Sequence, residues 1–281
     1  MISISIIVPF FNEEAYLEKS IKSLLAQTFL FKELILVDDG STDRSLTIAK
    51  SLAATHKSVR VISSVTTSIH QPGQKVVYAF QRGFDELSKP WDVICKFDAD
   101  IVFPPNYLET MSNSFLNNHN LGMFSGVLTI NKNSVWELEN ISNQNVRGPV
   151  KAYSKSCFSA IGGLRPALGW DTLDELLALY HGFGVEVDNA LYVKHLRPTG
   201  FQYSHTNAKA KGEVFYVLGY GFVLGLVASI KWVYKQNGSL TGVLQGFLGA
   251  WFKSKSKLVT TQESKFIRKH RWSKIKERFI C

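Results

Sequence analysis

The chain has 281 residues, 45% apolar and 20% charged, the composition of an ordinary globular protein. Its three scattered cysteines, Cys95, Cys157 and Cys281, exclude a disulfide framework and offer no zinc spacing. The net charge is +9, and the positive excess lies at one end: residues 1–206 hold 18 Lys and Arg against 20 Asp and Glu, residues 207–281 hold 14 against 3. Such a basic block faces phosphate, in nucleic acid or in an anionic membrane, unless it is a solvated helix face.

Residues 1–9 lack a basic leader and a small-residue cleavage site, so 3–8 read as a buried first strand and not as a signal peptide. A helix is expected over 13–27, capped by Asn12, with Glu13 and Glu14 in its first turn and Leu17, Ile21, Leu24 and Leu25 as its apolar stripe. Residues 32–37 read as a second strand, Asp43 as the cap of a helix to about 55, and 59–62 as a third strand. A polar loop over 63–73 leads to a helix over 74–88, stopped by Pro90. A strand over 92–97 and a helix over 105–118 follow. This alternation is the parallel βαβ pattern, and the strands are too apolar to face water on either side.

Beyond 121 the pattern mixes. Strands are expected over 122–130, 148–153, 183–187 and 189–194, and helices over 155–160 and 171–181, the last ended by Gly182. The tail is different again. Residues 214–230 carry no charge, and Lys231, Trp232, Tyr234 and Lys235 follow. Residues 240–252 are a second apolar stretch, and 266–276 interleave basic residues with Phe266 and Trp272. A spanning helix needs about 20 apolar residues. The tail therefore reads as two hydrophobic helices in or against a membrane surface, followed by a polybasic segment. A hairpin packed on the rest of the protein is the alternative.

Two acidic clusters each follow an apolar run: Leu34-Ile35-Leu36-Val37-Asp38-Asp39-Gly40-Ser41-Thr42-Asp43, and Val93-Ile94-Cys95-Lys96-Phe97-Asp98-Ala99-Asp100. Carboxylates at the carboxyl ends of buried parallel strands sit where open α/β sheets bind ligands. Asp98 and Asp100, one residue apart, can hold a divalent metal and a polyol side by side.

Together with Ile6-Ile7-Val8-Pro9-Phe10-Phe11-Asn12-Glu13, these segments resemble the family 2 glycosyltransferases over roughly residues 3–200. The resemblance implies the GT-A fold: an α/β, Rossmann-like, mostly parallel sheet with flanking helices that binds a nucleoside-diphosphate sugar. Carried over by position, it implies that Pro9 lines the base pocket, Asp39 hydrogen-bonds the base, Asp98 faces the ribose and Asp100 holds the metal. Lys75, in a first helical turn, is the diphosphate candidate, although a surface lysine reads equally well there. His195, after the last core strand, completes the metal site in the family, and mixed oxygen and nitrogen ligation suits Mn2+ or Mg2+. The acceptor side falls at Leu168-Gly169-Trp170-Asp171-Thr172-Leu173-Asp174-Glu175. The family's usual Glu-Asp is replaced here by Trp170-Asp171. Asp171 is the expected base, Asp174 one turn on is its competitor, and Glu175 reads as solvated.

The expected activity is an inverting, metal-dependent sugar transfer from a UDP- or GDP-sugar to a glycan or lipid-linked glycan acceptor, at the cytoplasmic face of a membrane. The expected division is a catalytic domain over 1–206 and a membrane-associating tail over 207–281. A polyprenyl-phosphate glycosyltransferase is the alternative within the fold. A nucleic-acid-binding protein using the basic tail is the alternative of another class, but no such motif is present, and nucleic acid is not an expected partner. No GxGxxG follows the first strand, which removes a dehydrogenase.

Overall fold

The structure is a computed structural model that describes residues 2–63, 73–88, 90–139, 145–197, 208–236 and 238–280. Residues 69–72 of the loop before Lys75, and Pro198, Thr199 and Gly200, lie outside the described residues. The chain divides into two compact units, residues 1–199 and 200–281.

In the first unit, β1 (Ile4–Phe10), β2 (Glu33–Asp38), β3 (Val59–Ser63) and β4 (Val93–Phe97) run parallel in the order β3-β2-β1-β4. β1, β2 and β4 are buried throughout, because the sheet is covered on both faces and admits apolar side chains on both. The crossovers carry α1 (Leu17–Leu25), α2 (Ser45–Thr55) and α3 (Gln74–Asp85). The chain leaves β1 on one side for β2 and β3, then returns to lay β4 on the other. That reversal is a topological switch point, and the crevice beyond the strand carboxyl ends there is where such sheets take ligands.

The sheet then becomes mixed. β8 (Val150–Ser154) pairs antiparallel with β4, β6 (Leu121–Lys132) antiparallel with β8, and β9 (Gly184–His195) parallel with β6. β5 (Ile101–Val102) closes on β9, and β7 (Val135–Leu138) on β6, both antiparallel. Between these strands lie α4 (Tyr107–Asn117), α5 (Lys155–Ala160) and α6 (Trp170–Tyr180). β5 and β7 are too short to leave a periodic trace in the sequence.

Three local expectations change. Asn12 does not cap a helix: its φ is 53°, residues 13–16 form a turn closed by Tyr16 and Leu17 N–H groups on the Glu13 carbonyl, and α1 begins only at Leu17. The two strands expected around Asp188-Asn189 are one strand, β9. The Asp188 carboxylate accepts the Ala190 N–H at 2.8 Å, so the polar pair makes an irregularity opposite Gly126–Val127 and not an end. The uncharged run 214–230 is not one helix either. In the second unit it is cut into α7 (Ala208–Val217) and α8 (Gly221–Gln236), because Gly219 and Gly221 take φ of 73° and 71°, where a side chain would be strained. α9 (Leu240–Phe252) and α10 (Thr261–Ile280) complete this unit. Among the described residues, no helix is long and apolar enough to cross a membrane.

Candidate active site

The crevice at the switch point gathers side chains from the ends of β1, β2 and β4. Pro9 is buried beside Val37. Asp38 ties its own loop together: its carboxylate accepts the Ser41 N–H at 3.0 Å and the Ser63 hydroxyl at 3.1 Å. Asp39, one residue beyond the strand, donates its N–H to Phe10 O at 3.0 Å and holds Arg82 of α3 at 2.7 Å. Asp43 accepts the N–H groups of Ser45 at 2.9 Å and Glu14 at 3.1 Å. Those contacts fix the start of α2 and use its carboxylate for structure. Lys75 lies in the first turn of α3 with its ammonium 5.7 Å from the Phe11 ring centroid, so it reaches over the loop that leaves β1.

The second acidic cluster turns sharply between β4 and β5. Tilted and edge-to-face aromatics pack beside that turn: Phe97 and Phe103 ring centroids lie 4.5 Å apart, and Phe103 and Tyr107 4.7 Å. Asp98 is partly exposed and pairs with the buried Lys96. Asp100 is buried. The pairing of Ile101 with His195, and the Leu196 N–H donated to Asp100 O at 2.9 Å, bring the end of β9 directly against it. As a result His195 Nε2 lies 3.6 Å from Asp100 Oδ1, and an Arg197 nitrogen lies 3.2 Å from Oδ2.

The network continues outward. Arg197 also pairs with Glu13, and His195 Nδ1 lies 3.8 Å from Glu139, which in turn pairs with Arg147 at 3.5 Å. Burial alone would lower the His195 pKa, but the carboxylates of Asp100 and Glu139 outweigh it and push it up to about 9. Burial would raise Asp100, and His195 and Arg197 hold it below its ordinary value instead. For Glu13 burial wins over Arg197, and its pKa rises to about 7.

A divalent cation needs oxygen or nitrogen donors aimed at one point. Asp100 and His195 supply one of each, 3.6 Å apart. Among the described residues no group of three or more His, Cys, Asp or Glu is placed to hold a metal. With its pKa at about 9 His195 is protonated against Asp100, so the two would serve as ligands only once an ion displaced that proton, with the remaining positions left to substrate phosphate and water.

α6 begins at Trp170, after Gly169 at a φ of 86°. Asp171 is exposed in the first turn. Its backbone carbonyl accepts the Lys151 ammonium at 2.6 Å, which fixes that turn against β8. Gly148 leaves room beside it: a Cβ there would lie 3.6 Å from Asp171 Oδ2. Asp174 is buried, bonded to Lys151 at 2.7 Å and to the Tyr153 hydroxyl. Burial pushes the Asp174 pKa up to about 6 despite Lys151 and Tyr153. Two buried ammonium groups lie near the Trp170 ring centroid, Lys96 at 5.2 Å and Lys151 at 5.6 Å. Glu175, expected in water, is buried instead and accepts the Val146 N–H at 3.0 Å together with the Asn145 amide. The chain at Asn145 and Val146 lies against α6 and needs an acceptor there.

The structure thus gathers Asp98, Asp100 and His195 at one end of the sheet, and Asp39 beside Phe10 and Arg82. Sequence reasoning missed Glu13, Arg197, Glu139 and Arg82 as members of the site. Arg197 had a trace, a basic residue two positions past the histidine at a strand end. Glu139 had none, lying after a short strand that was itself unseen.

The sequence model of the family described as Glycosyl transferase family 2 matches residues 5–161, and the chain belongs to that family. It is 34% identical over 116 residues to an uncharacterized glycosyltransferase of Haemophilus influenzae, covering 41% of this chain and 43% of that protein. It is 31% identical over 122 residues to the minor teichoic acid biosynthesis protein GgaA of Bacillus subtilis, covering 42% of this chain and 26% of that one. The chain thus spans less than half the length of these curated relatives. Its backbone is similar to that of GalNAc-T7 solved with UDP, GalNAc and Mn2+, with a TM-score of 0.62 at 14% identity, over 92% of this chain and 55% of the other. At that identity the likeness shows the fold, which is GT-A.

Proposed function

We propose that this protein transfers a sugar, with inversion, from a UDP- or GDP-sugar to a glycan or lipid-linked glycan acceptor in cell-envelope polysaccharide synthesis, using Mn2+ or Mg2+. The observation that carries the reading is Asp98 and Asp100 at the end of β4, with His195 drawn beside Asp100 by the β5–β9 pairing. Membership of the family supports the reaction class. GgaA's role in teichoic acid synthesis supports the setting, and the UDP and Mn2+ bound by GalNAc-T7 support the donor and the metal.

In this reading Pro9 and Asp39 hold the base, Asp98 the ribose, and Lys75 the diphosphate. Asp100 and His195 hold the cation, which supplies charge to offset the departing diphosphate. Asp171 takes the proton from the acceptor hydroxyl as its oxygen bonds to the anomeric carbon and the bond to the diphosphate breaks on the opposite face. Asp174 is buried in an ion pair, so we assign it to the support of Asp171. Residues 1–206 are the catalytic part in this proposal. Residues 207–281 attach it as a peripheral protein to the anionic inner face of the cell membrane.

A panel of nucleotide-sugars tested by thermal shift, with and without Mn2+, decides the donor and the metal together. Stabilisation by a UDP- or GDP-sugar that needs Mn2+ is the expected result, and no stabilisation by any donor would sink the reading. Two substitutions refine it. Asp100→Ala should abolish the Mn2+-dependent part of donor binding and leave the circular dichroism spectrum of the fold in place; undiminished metal stimulation would remove Asp100 from the site. Asp39→Ala should weaken free nucleoside diphosphate by about 1.5–3 kcal/mol, the worth of a hydrogen bond to a charged group. Calorimetry with UDP and GDP measures it, and equal affinity in both proteins would refute the assignment.

A further inference from the structure

The helices of residues 208–280 distribute their apolar side chains unevenly. α9 turns Val243, Gly246, Phe247 and Ala250 inward. A Cβ on Gly212 of α7 would lie 1.8 Å from Val243 O, and one on Gly246 would lie 1.8 Å from Lys209 O. The two backbones therefore touch, and the inner face of α9, a helix without a charged residue, is occupied in packing against α7.

α8 is different. Its inner face buries Leu224, Gly225 and Ser229, with the Phe247 ring against Gly225. Its outer face carries Val223, Leu226, Val227, Ile230 and Tyr234, at the three- and four-residue spacing of one helical stripe. Val223, Ile230 and Tyr234 are exposed, Tyr234 to 88%. At the start of the helix the exposed Phe222 ring meets Trp251 at 5.6 Å, and Phe252 next to it is 86% exposed. The apolar face therefore runs from α8 onto the end of α9.

Its surroundings are basic. Lys231 and Lys235 flank the stripe, and Lys253, Lys255 and Lys257 alternate with serines in an exposed run directly after Phe252, the Lys257 ammonium 5.6 Å from the Tyr216 ring centroid. Between residues 208 and 260 the only acid is Glu213, and it pairs with Lys255. An apolar stripe with aromatic edges and cationic flanks matches the interfacial layer of an anionic bilayer, in which acyl chains lie below negative headgroups. α8 has 16 residues, about 24 Å of helix, which suits lying in the membrane plane and not crossing it.

We propose that the outer face of α8, continued by Trp251 and Phe252, seats the protein flat on an anionic lipid bilayer, with α8 in the headgroup region and Lys253, Lys255 and Lys257 on the lipid phosphates. This rests on the peripheral-membrane reading above and gives it a surface. α9 contributes only its end.

The test is co-sedimentation of the full chain with vesicles of phosphatidylcholine and phosphatidylglycerol in equal parts, and with phosphatidylcholine alone. The wild type should bind the anionic vesicles and bind phosphatidylcholine far more weakly. Trp251→Ser combined with Phe252→Ser, and separately Ile230→Ser combined with Tyr234→Ser, should each cut partitioning by about tenfold or more while leaving thermal stability unchanged. Lys253→Gln, Lys255→Gln and Lys257→Gln together should remove the salt-sensitive part. Quenching of tryptophan fluorescence by brominated lipid should fall in Trp251→Phe. If the wild type binds but both serine pairs bind as it does, this surface is wrong and the membrane reading stands. If the wild type binds neither vesicle, both fall. Concentration-dependent dimerisation abolished by the serine pairs, without vesicle binding, would overturn the proposal in favour of a second copy on this face.

Discussion

Asp171→Asn should lower turnover by about 10²–10⁴-fold, the range a positioned general base supplies, while nucleotide affinity and thermal stability stay at wild-type values. The side chain is exposed at the start of α6, so its loss leaves no buried group unpaired. What anchors this turn is the backbone carbonyl of residue 171 on Lys151, and asparagine keeps that bond. The measurement is initial rate of nucleotide release with whichever donor the thermal-shift panel selects, in the presence of acceptor. Turnover unchanged in Asp171→Asn would remove it as the base. A lipid phosphate acceptor, which is already ionised, would give that outcome. Asp174→Asn serves as the contrast: its principal loss should be in stability, with donor affinity retained by the folded fraction.

The parts of this site that could be read in the sequence are those marked by an abrupt change of local chemistry. A strand covered on both faces admits apolar residues almost without exception, so the first acid after it marks its carboxyl end. Asp38, Asp39, Asp98 and Asp100 were legible for that reason. What was not legible depends on partners far along the chain. Asp39 meets Arg82 across 43 residues, and Glu13 meets Arg197 across 184. No local period encodes such pairs. Glu175 failed in the same way. On helical spacing alone it belongs to a wet face, and the Asn145 amide with the Val146 N–H, 29 residues earlier, turns it inward. In the tail the error was one of arithmetic over conformation. Seventeen uncharged residues approach a span in length, but two glycines at positive φ spend part of that length on a turn.

The buried pair under Asp171 gives the largest expected effect on stability. Lys151 is fully buried, and its ammonium is held by Asp174 and by the Asp171 carbonyl. Lys151→Met keeps most of the stem's packing and removes the charge. It should destabilise the protein by about 3–5 kcal/mol, because Asp174 is then a buried carboxylate without its cation. Lys151→Met combined with Asp174→Leu should cost less than Lys151→Met alone, since no charge is left unpaired.

The pH dependence has a definite sign. Burial already raises Asp174 to about 6 from an ordinary 3.8. Between those values the folded state binds the extra proton, so this group's contribution to stability falls as pH rises, by about 3 kcal/mol across the window at 1.36 kcal/mol per unit. Lys151 is what limits that loss. Without it the Asp174 pKa should climb further and the window should extend toward neutral pH. Lys151→Met should therefore lie closer to wild type in urea unfolding at pH 5 than at pH 7. A stability gap between the two proteins that is equal at both pH values, or larger at pH 5, would show that Asp174 does not titrate against Lys151 in the folded state.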